Sequence, residues 1–170
     1  MLNLKFRKLI GAVIWLASAS SVLAETTVSM NMTIESGVGQ SVGTLLISET
    51  PYGLLFTPNL HGLTAGAHGL HVHQNPSCEK NGMAAGGHFD PQNSGSHLGP
   101  YNDKGHFGDL PIVTVNADGT ATTPVLAPRI RHITEINNLA IMIHNGGDTY
   151  SDVPNKLGGG GARMVCGVIQ

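Results

Sequence analysis

The sequence contains few cysteines, one tryptophan and few basic residues. Two residues are cysteine, and nine lysine and arginine residues stand against eleven aspartate and glutamate residues, a formal charge of −2. This balance argues against nucleic acid as a partner, because proteins that bind nucleic acid present a basic surface to the phosphates. Signals for helices are scarce too, whereas glycine is abundant with 23 residues.

Only one long apolar run is present, and it lies near the N-terminus. Leu9–Ala17 follows three basic residues and precedes small residues that end at Ala24. This is the pattern of a secretory signal, and it predicts cleavage after Ala24. A membrane anchor is the alternative, but the run is shorter than the ~20 residues that a spanning helix needs. We therefore expect an exported protein that has no membrane segment after residues 1–24 are removed.

Removal of the signal changes the balance of charge. The mature chain, residues 25–170, lacks tryptophan and keeps six basic against eleven acidic residues, a formal charge of −5. Its length suits one domain with a sizeable core. It contains no internal repeat and no linker, so we expect a single domain.

Both cysteines, Cys78 and Cys166, lie in the exported part. An even number of cysteines in an oxidising compartment predicts a disulfide. Such a bond would close a loop of about 90 residues and contribute about 4–5 kcal/mol in the chain-entropy model. Two separate free thiols and a copper–cysteine site remain alternatives at this point.

Short segments of alternating or apolar character predict an all-β fold. The turn signal Asn116–Gly119 separates two of them and predicts a hairpin. Antiparallel strands of this length with glycine, proline and asparagine between them are typical of a sandwich or barrel. The eight predicted strands are Thr27–Ile34, Ser41–Ser48, Gly53–Pro58, Gly69–Gln74, Pro111–Val115, Thr120–Leu126, Leu139–His144 and Arg163–Ile169.

Two long segments, Asn75–Asp109 and Asn145–Ala162, do not resemble strands. Long loops in a small domain are usually functional or disordered. The first loop is rich in histidine and so is a candidate binding loop. The second contains two glycine runs, and its composition alone also fits a flexible connection.

The histidines form the main chemical signal. His71 and His73 are two residues apart, which places both side chains on one face of a strand. Three imidazoles with one carboxylate suit tetrahedral zinc, and four imidazoles suit copper(II). Seven side chains would then supply eight bonds, so one histidine would be shared, although spacing does not prove sharing. The other five candidates are His88, His97, His106, Asp109 and His144.

Six ordered motifs resemble those of copper,zinc superoxide dismutase, in the form found in its exported bacterial branch. The resemblance extends from about Thr27 to the C-terminus. The motifs are HVH (71–73), GGHFDP (86–91), HLGP (97–100), GHFGDLP (105–111), MIHNGGDTYSD (142–152) and GGGGARMVCGVI (158–169).

The resemblance implies a role for each candidate residue. It implies an eight-stranded antiparallel Greek-key barrel with two functional loops, and a disulfide between Cys78 and Cys166. Asp148 matches a carboxylate that links a copper-binding histidine to a zinc-binding histidine, here His71 and His97. Arg163 matches the arginine that guides and holds the anion. The implied ligands are His71, His73, His88 and His144 for copper, and His88, His97, His106 and Asp109 for zinc.

The resemblance also implies the activity, which is dismutation of superoxide to dioxygen and hydrogen peroxide through a Cu(II)/Cu(I) cycle. Zinc would be a structural and electronic partner bridged through His88, and the location would be the periplasm. A non-catalytic copper- and zinc-binding protein is the alternative, and a blue-copper protein would require a free cysteine. The chain could act as a monomer or a homodimer.

The remaining charged and polar candidates are weaker. Lys80, Lys104 and Lys156 are candidates for steering superoxide. We expect His61, His68 and His132, which lie outside the motifs, to bind no metal.

Overall fold

Antiparallel strands make up most of the regular structure in the computed structural model, which describes residues 23–170. The expected export signal therefore lies almost entirely outside the described residues. The strands are β1 (Glu25–Ile34), β2 (Gly37–Thr50), β3 (Gly53–Leu60), β4 (Gly66–His68), β5 (Leu70–His73), β6 (Val113–Val115), β7 (Val125–Ala127), β8 (Ala140–His144) and β9 (Arg163–Val168).

Seven of the strands form one sheet, in the order β5-β8-β9-β1-β2-β3-β7, and β4 pairs with β6. The strands β1, β2 and β3 are successive neighbours, and β9 returns to lie beside β1. The connection from β3 leads towards β5 at the far edge of the sheet, as long Greek-key connections do. The prediction of an all-β antiparallel fold is confirmed.

The number of strands differs from the prediction of eight. The strand β4 was not predicted, because its three residues lie in a glycine-rich stretch and pair only with β6. The predicted strand Thr120–Leu126 is reduced to one bridge at Ala121 and to β7, since Pro124 cannot donate a ladder hydrogen bond between them. Within residues 23–170 we find no helix with the length and apolarity that crossing a bilayer requires.

The core lies on one face of the curled sheet. In β1, Val28 and Met30 are buried while Thr27 and Ser29 are exposed, as the alternating sequence predicts. Met32 packs partly buried against the same core. The largest fully buried side chains elsewhere in the core are Leu45, Ile47, Leu54, Phe56, Leu60, Leu70, Leu110, Ile130, Ile136 and Ile141.

Two loops leave the β5-β8-β9 group from opposite ends, because β5 and β8 are antiparallel and His73 pairs with Ala140. One connects β5 to β6 and contains a short 3-10 helix, Met83–Ala85; the other connects β8 to β9 and contains the helix Lys156–Gly159. A disulfide joins Cys78 of the first loop to Cys166 of β9, with their Cα atoms 5.8 Å apart. These two loops and the strand ends hold the histidine cluster.

Candidate metal centre

Two adjacent strands present three histidines to one another. His71 and His73 lie in β5, and His144 ends β8, which pairs with β5. All three side chains are buried. The Nε2 atoms of His73 and His144 face each other at 3.4 Å.

Backbone carbonyls determine which ring nitrogens of His73 and His144 are available to bind a metal. The Nδ1 of His73 lies 3.1 Å from the Gly86 oxygen, and the Nδ1 of His144 lies 3.2 Å from the Gly161 oxygen. Because a carbonyl can only accept, each Nδ1 is the donor and each Nε2 keeps a lone pair. Two buried lone pairs that face each other repel, unless a cation lies between them.

The third histidine of the group is oriented by Asp148. The Nε2 of His71 donates to Asp148 Oδ2 at 2.8 Å, while the Nε2 of His97 donates to Oδ1 at 2.7 Å. The carboxylate has no exposed surface. It therefore joins the two histidines that the resemblance named, and it leaves the Nδ1 of His71 without a partner and the Nδ1 of His97 facing Asp109.

His88 lies between the two groups of ligands. Its Nδ1 is 2.9 Å from Asp109 Oδ1, and its Nε2 is buried without a hydrogen-bond partner. The His88 ring is 4.0 Å from the ring of His71 and 5.3 Å from that of His106, measured between centroids. One nitrogen thus faces each side of the centre.

The second group surrounds Asp109. The Nδ1 atoms of His97 and His106 lie 3.0 Å and 3.4 Å from the two carboxylate oxygens, and His88 approaches the same carboxylate. Gly99 donates its N–H to Oδ2 at 3.3 Å. All of these side chains are buried or nearly so.

Two four-residue sets have ligand atoms within 4.8 Å of one another. The first consists of His71, His73, His88 and His144, which is the set expected for copper. The second consists of His71, His88, His97 and Asp109, with His71 in the place expected for His106. His106 lies at the edge of this second set through its contact with Asp109. His88 belongs to both sets.

Burial keeps most of these imidazoles neutral in the metal-free protein. It lowers the pKa of His71 to about 3, that of His73 to about 2 and that of His144 to about 4. The pKa of His88 is also lowered, chiefly by burial. Neutral imidazole is the form that binds a metal, so this set is ready for one at neutral pH.

The carboxylates have the opposite effect on His97. Burial alone would lower its pKa, but hydrogen bonds with Asp109 and Asp148 raise it to about 9. Burial likewise would raise the pKa of both aspartates, and their hydrogen bonds with the histidines lower it well below the usual range instead. Asp109 and Asp148 are therefore ionised and His97 is protonated at neutral pH, which leaves one net negative charge at the second set, a balance that suits a divalent cation.

Arg163 begins β9 beside the first set. Its guanidinium donates to the Gly82 oxygen at 2.6 Å and also to the Gly86 oxygen. The Gly86 carbonyl is the one that accepts from His73, so Arg163 and a candidate copper ligand share an anchor. The arginine is half-buried.

The other histidines and the lysines belong to neither ligand set. His68 is buried, and its two ring nitrogens lie 2.8 Å from the Thr64 and His144 carbonyl oxygens. His61 and His132 are exposed. The three candidate steering lysines, Lys80, Lys104 and Lys156, are also exposed.

Some supporting residues were not predicted. Asp152 accepts from the His97 backbone N–H at 2.8 Å and from the Leu157 N–H at 3.0 Å, so it joins the two loops. Asp152 stands in the predicted MIHNGGDTYSD motif, but its sequence position does not show that its partner is a backbone group 55 residues away. Arg129 was missed for a similar reason, since its partners are carbonyls.

A sequence profile of copper/zinc superoxide dismutase (SODC) matches residues 41–169. The chain belongs to this family. The superoxide dismutase [Cu-Zn] 1 of Salmonella typhimurium is 57% identical over 164 residues, which cover 91% of this chain and 93% of that protein. The superoxide dismutase [Cu-Zn] of Neisseria meningitidis is 53% identical over 139 residues, with 77% and 75% covered.

Solved structures of the dismutase family agree with the fold. The Cu/Zn superoxide dismutase from Brucella abortus superposes with a TM-score of 0.82 at 52% identity, covering 86% of this chain and 100% of that chain. The solution structure of the monomeric copper, zinc superoxide dismutase from Salmonella enterica gives 0.76 at 53% identity, with 86% and 100% covered.

The residues present fit the two metals of a dismutase. Two buried ring nitrogens without a hydrogen-bond partner, His71 Nδ1 and His88 Nε2, point into the centre. Such orphaned atoms are costly unless a cation takes their lone pairs. One set is purely imidazole and the other contains a carboxylate, as copper and zinc respectively prefer.

Proposed function

We propose that this chain dismutates superoxide to dioxygen and hydrogen peroxide. The paired Nε2 atoms of His73 and His144, which face each other with lone pairs at 3.4 Å, carry the proposal together with the family. Copper, when bound, supplies the exchange of one electron between its Cu(II) and Cu(I) states. Zinc has no second oxidation state of use here, so it contributes charge and rigidity.

We assign copper to His71, His73, His88 and His144, and zinc to His88, His97, His106 and Asp109. The atoms that hydrogen bonds leave free support the assignment. Asp148 commits the Nε2 of His71 and His97, so each offers Nδ1, while the Gly86 and Gly161 carbonyls commit His73 and His144 to offer Nε2. His88 offers Nε2 to one side and Nδ1 to the other.

His88 is the residue best placed to hold a proton during turnover. Its Nε2 faces the copper set, and its Nδ1 stays engaged beside Asp109. A proton can therefore be taken and given at Nε2 without loss of the ring's position. The formation of hydrogen peroxide from superoxide needs two protons, and a fixed nitrogen at the reacting centre can deliver one of them.

Arg163 supplies a fixed positive charge for the anionic substrate. Two carbonyl contacts hold its guanidinium beside His73. The mature chain is expected to carry −5 in total, so attraction must come from local charge in the cleft rather than from net charge. We propose Arg163 as the group that guides and orients superoxide.

The proposed activity is tested by metal exchange on the purified mature protein. Metal content and superoxide consumption are measured as isolated, after removal of copper, and after copper is restored. We expect activity to vanish and return with copper while zinc remains bound. A protein that binds both metals yet consumes no superoxide would instead be the non-catalytic metal-binding protein.

We also propose that residues 1–24 are a cleaved export signal, that residues 25–170 form one domain, and that the protein acts in the periplasm. The first strand begins at Glu25, the first residue after the expected cleavage site. The disulfide agrees with an oxidising compartment. N-terminal sequencing of the protein from a periplasmic extract should begin at Glu25, and a start at Met1 would contradict the proposal.

A further inference from the structure

Arg129 lies outside both ligand sets, yet its side chain is directed at the backbone beside the second set. It follows β7, and the next residue, Ile130, is buried and accepts the Leu54 N–H through its carbonyl at 2.9 Å. The arginine is therefore held from both sides by the sheet. Its side chain is only 11% exposed.

Three backbone carbonyl oxygens accept hydrogen bonds from the Arg129 guanidinium. The Nη1 atom donates to the His106 oxygen at 3.0 Å and to the Gly99 oxygen at 3.4 Å, and the Nη2 atom donates to the Gly105 oxygen at 3.0 Å. The Cζ atom of the guanidinium also lies over the Phe107 ring, 5.7 Å from its centre. A planar fork with several donors suits this cluster of acceptors better than a lysine ammonium does.

The three acceptors lie at the two ends of one short loop. Gly99 directly follows the stretch that contains His97, and its N–H donates to Asp109 at 3.3 Å. Gly105 and His106 form the other end. The N–H of His106 donates to the Ser96 oxygen at 2.9 Å. One side chain from the turn after β7 therefore ties together the backbone of the zinc-side ligands.

We propose that Arg129 is a positioning residue for the zinc site, which sets the distance between His97 and His106 around Asp109. The inference rests on the proposed zinc site. The contact of Arg129 with Asp103 does not explain the burial of the arginine, because Asp103 is 96% exposed and lies 3.6 Å away. An exposed pair of this kind contributes little to stability.

Arg129→Met tests the role, because it keeps the length of the side chain and removes the donors. Zinc and copper affinities are measured by chelator competition on the disulfide-intact protein. We expect zinc binding to weaken roughly tenfold or more, as is typical when groups that support metal ligands are lost. Copper binding should change much less. Cobalt(II) placed in the zinc site should show a changed visible spectrum.

Two further variants separate positioning from charge and from general stability. Arg129→Lys keeps the charge but not the fork, so we expect zinc affinity between those of Arg129→Met and the wild type. Arg131→Met is the matched control, since Arg131 is exposed and its guanidinium donates to the Pro51 oxygen, at 3.1 Å, away from the ligand backbone. This control should leave the affinity for zinc and the cobalt spectrum unchanged.

The outcomes distinguish the inference from the proposed function. Unchanged zinc affinity in Arg129→Met, or an equal loss of zinc and copper affinity with a lower Tm of the metal-free protein, would overturn the positioning role. A zinc affinity of Arg129→Lys equal to that of the wild type would show that charge alone is needed, and this result would also overturn the positioning role. A wild-type protein that binds no zinc would contradict the proposed function itself.

Discussion

Asp148 determines the orientation of two histidines with one carboxylate. Each oxygen accepts from a different imidazole, so His71 and His97 cannot rotate independently. The carboxylate also accepts from the Tyr150 N–H at 2.7 Å, which holds the loop around it. The two metal sets are therefore coupled by a rigid link in addition to His88.

Because Gly158 has no side chain, the Asp148 carboxylate can occupy the space beside its Cα atom. A Cβ atom on residue 158 would lie 1.9 Å from Asp148 Oδ1, and its φ of +68° disfavours other residues. We expect Gly158→Ala to displace Asp148, to lower the zinc content and to destabilise the protein by at least about 1 kcal/mol. Zinc analysis and urea unfolding measure the two effects.

Gly62→Ala is the control for this substitution. Gly62 has a similar φ of +71°, but nothing lies within 4 Å of the added Cβ atom. It should show the backbone cost alone, with the zinc content unchanged. Equal zinc content in both variants would mean that the contact with Asp148 is unimportant.

Arg163 gives a second prediction for a single side chain. We expect Arg163→Ala to reduce the rate of superoxide consumption at low salt by about tenfold, because it removes the fixed positive charge beside the copper set. Both metals should stay bound. The difference from the wild type should shrink as salt is added, because ions screen the attraction.

The exposed Arg131 again supplies the comparison for Arg163. Arg131→Ala removes the same charge from the net total, but the Arg131 guanidinium contacts Pro51 rather than Gly82 and Gly86. Rates that are equal in Arg163→Ala, Arg131→Ala and wild type at low salt would contradict a guiding role. A fall in Arg163→Ala caused by loss of copper would show a structural role instead.

The disulfide connects a loop to a strand, and both hold the site. Cys78 lies in the loop whose Gly82 and Gly86 carbonyls anchor Arg163, and Cys166 lies three residues after Arg163 in β9. We expect Cys78→Ser with Cys166→Ser to lower the free energy of unfolding by about 2–5 kcal/mol. Urea unfolding of the metal-free protein measures this change.

The same double variant should also lose activity at moderate temperature, because the anchors of Arg163 are freed. Wild-type protein treated with a reductant should behave in the same way, which separates the bond from the serine substitutions. If the reduced wild type unfolds at the same urea concentration as the oxidised protein, the disulfide contributes no stability.

Several strands were predictable because their residues alternate along the chain. In β1 and β3, apolar side chains face the core at every second position, and β2 shows the same alternation at Leu45 and Ile47. The exceptions are short elements that exist only through a partner. The strand β4 has no apolar pattern, and it forms because Gly66, Ala67 and His68 pair with β6.

The candidate ligands were predictable because histidine is rare enough for its clustering to be informative. The groups that orient the ligands were harder to predict from the sequence. Arg129 and Asp152 act on backbone atoms that are remote in the sequence, and Gly158 acts through the side chain that it lacks. Such contacts depend on how the two loops pack, which no local pattern describes.

The metal-free molecule should be most stable near pH 6.5. At pH 5 the unfolded chain binds protons at His71, His73 and His144, because its histidine pKa is about 6.5, whereas the folded values are about 3, 2 and 4. The unfolded state then holds more protons. The free energy of unfolding therefore falls as the pH drops below about 6.5.

His97 acts in the opposite direction at alkaline pH. Its folded pKa of about 9 is above the unfolded value, so its contribution is complete below about pH 6.5 and is lost as the pH rises through about 9. Urea unfolding of the metal-free protein at pH 5, 6.5 and 9 measures the loss of stability on both the acidic and the alkaline side. Stability that increases steadily from pH 6.5 to 9 would contradict the assignment.

The sulfur chemistry of the molecule has a consequence for its lifetime. Both cysteines are committed to the one disulfide, so the hydrogen peroxide that the proposed reaction releases meets no thiolate to oxidise to sulfenic acid. Methionine thioethers are then the remaining targets. Met30 and Met142 are fully buried, but Met83 is 63% exposed in the loop beside Arg163's anchors. An ageing sample should therefore accumulate sulfoxide first at Met83, which peptide mass spectrometry would detect.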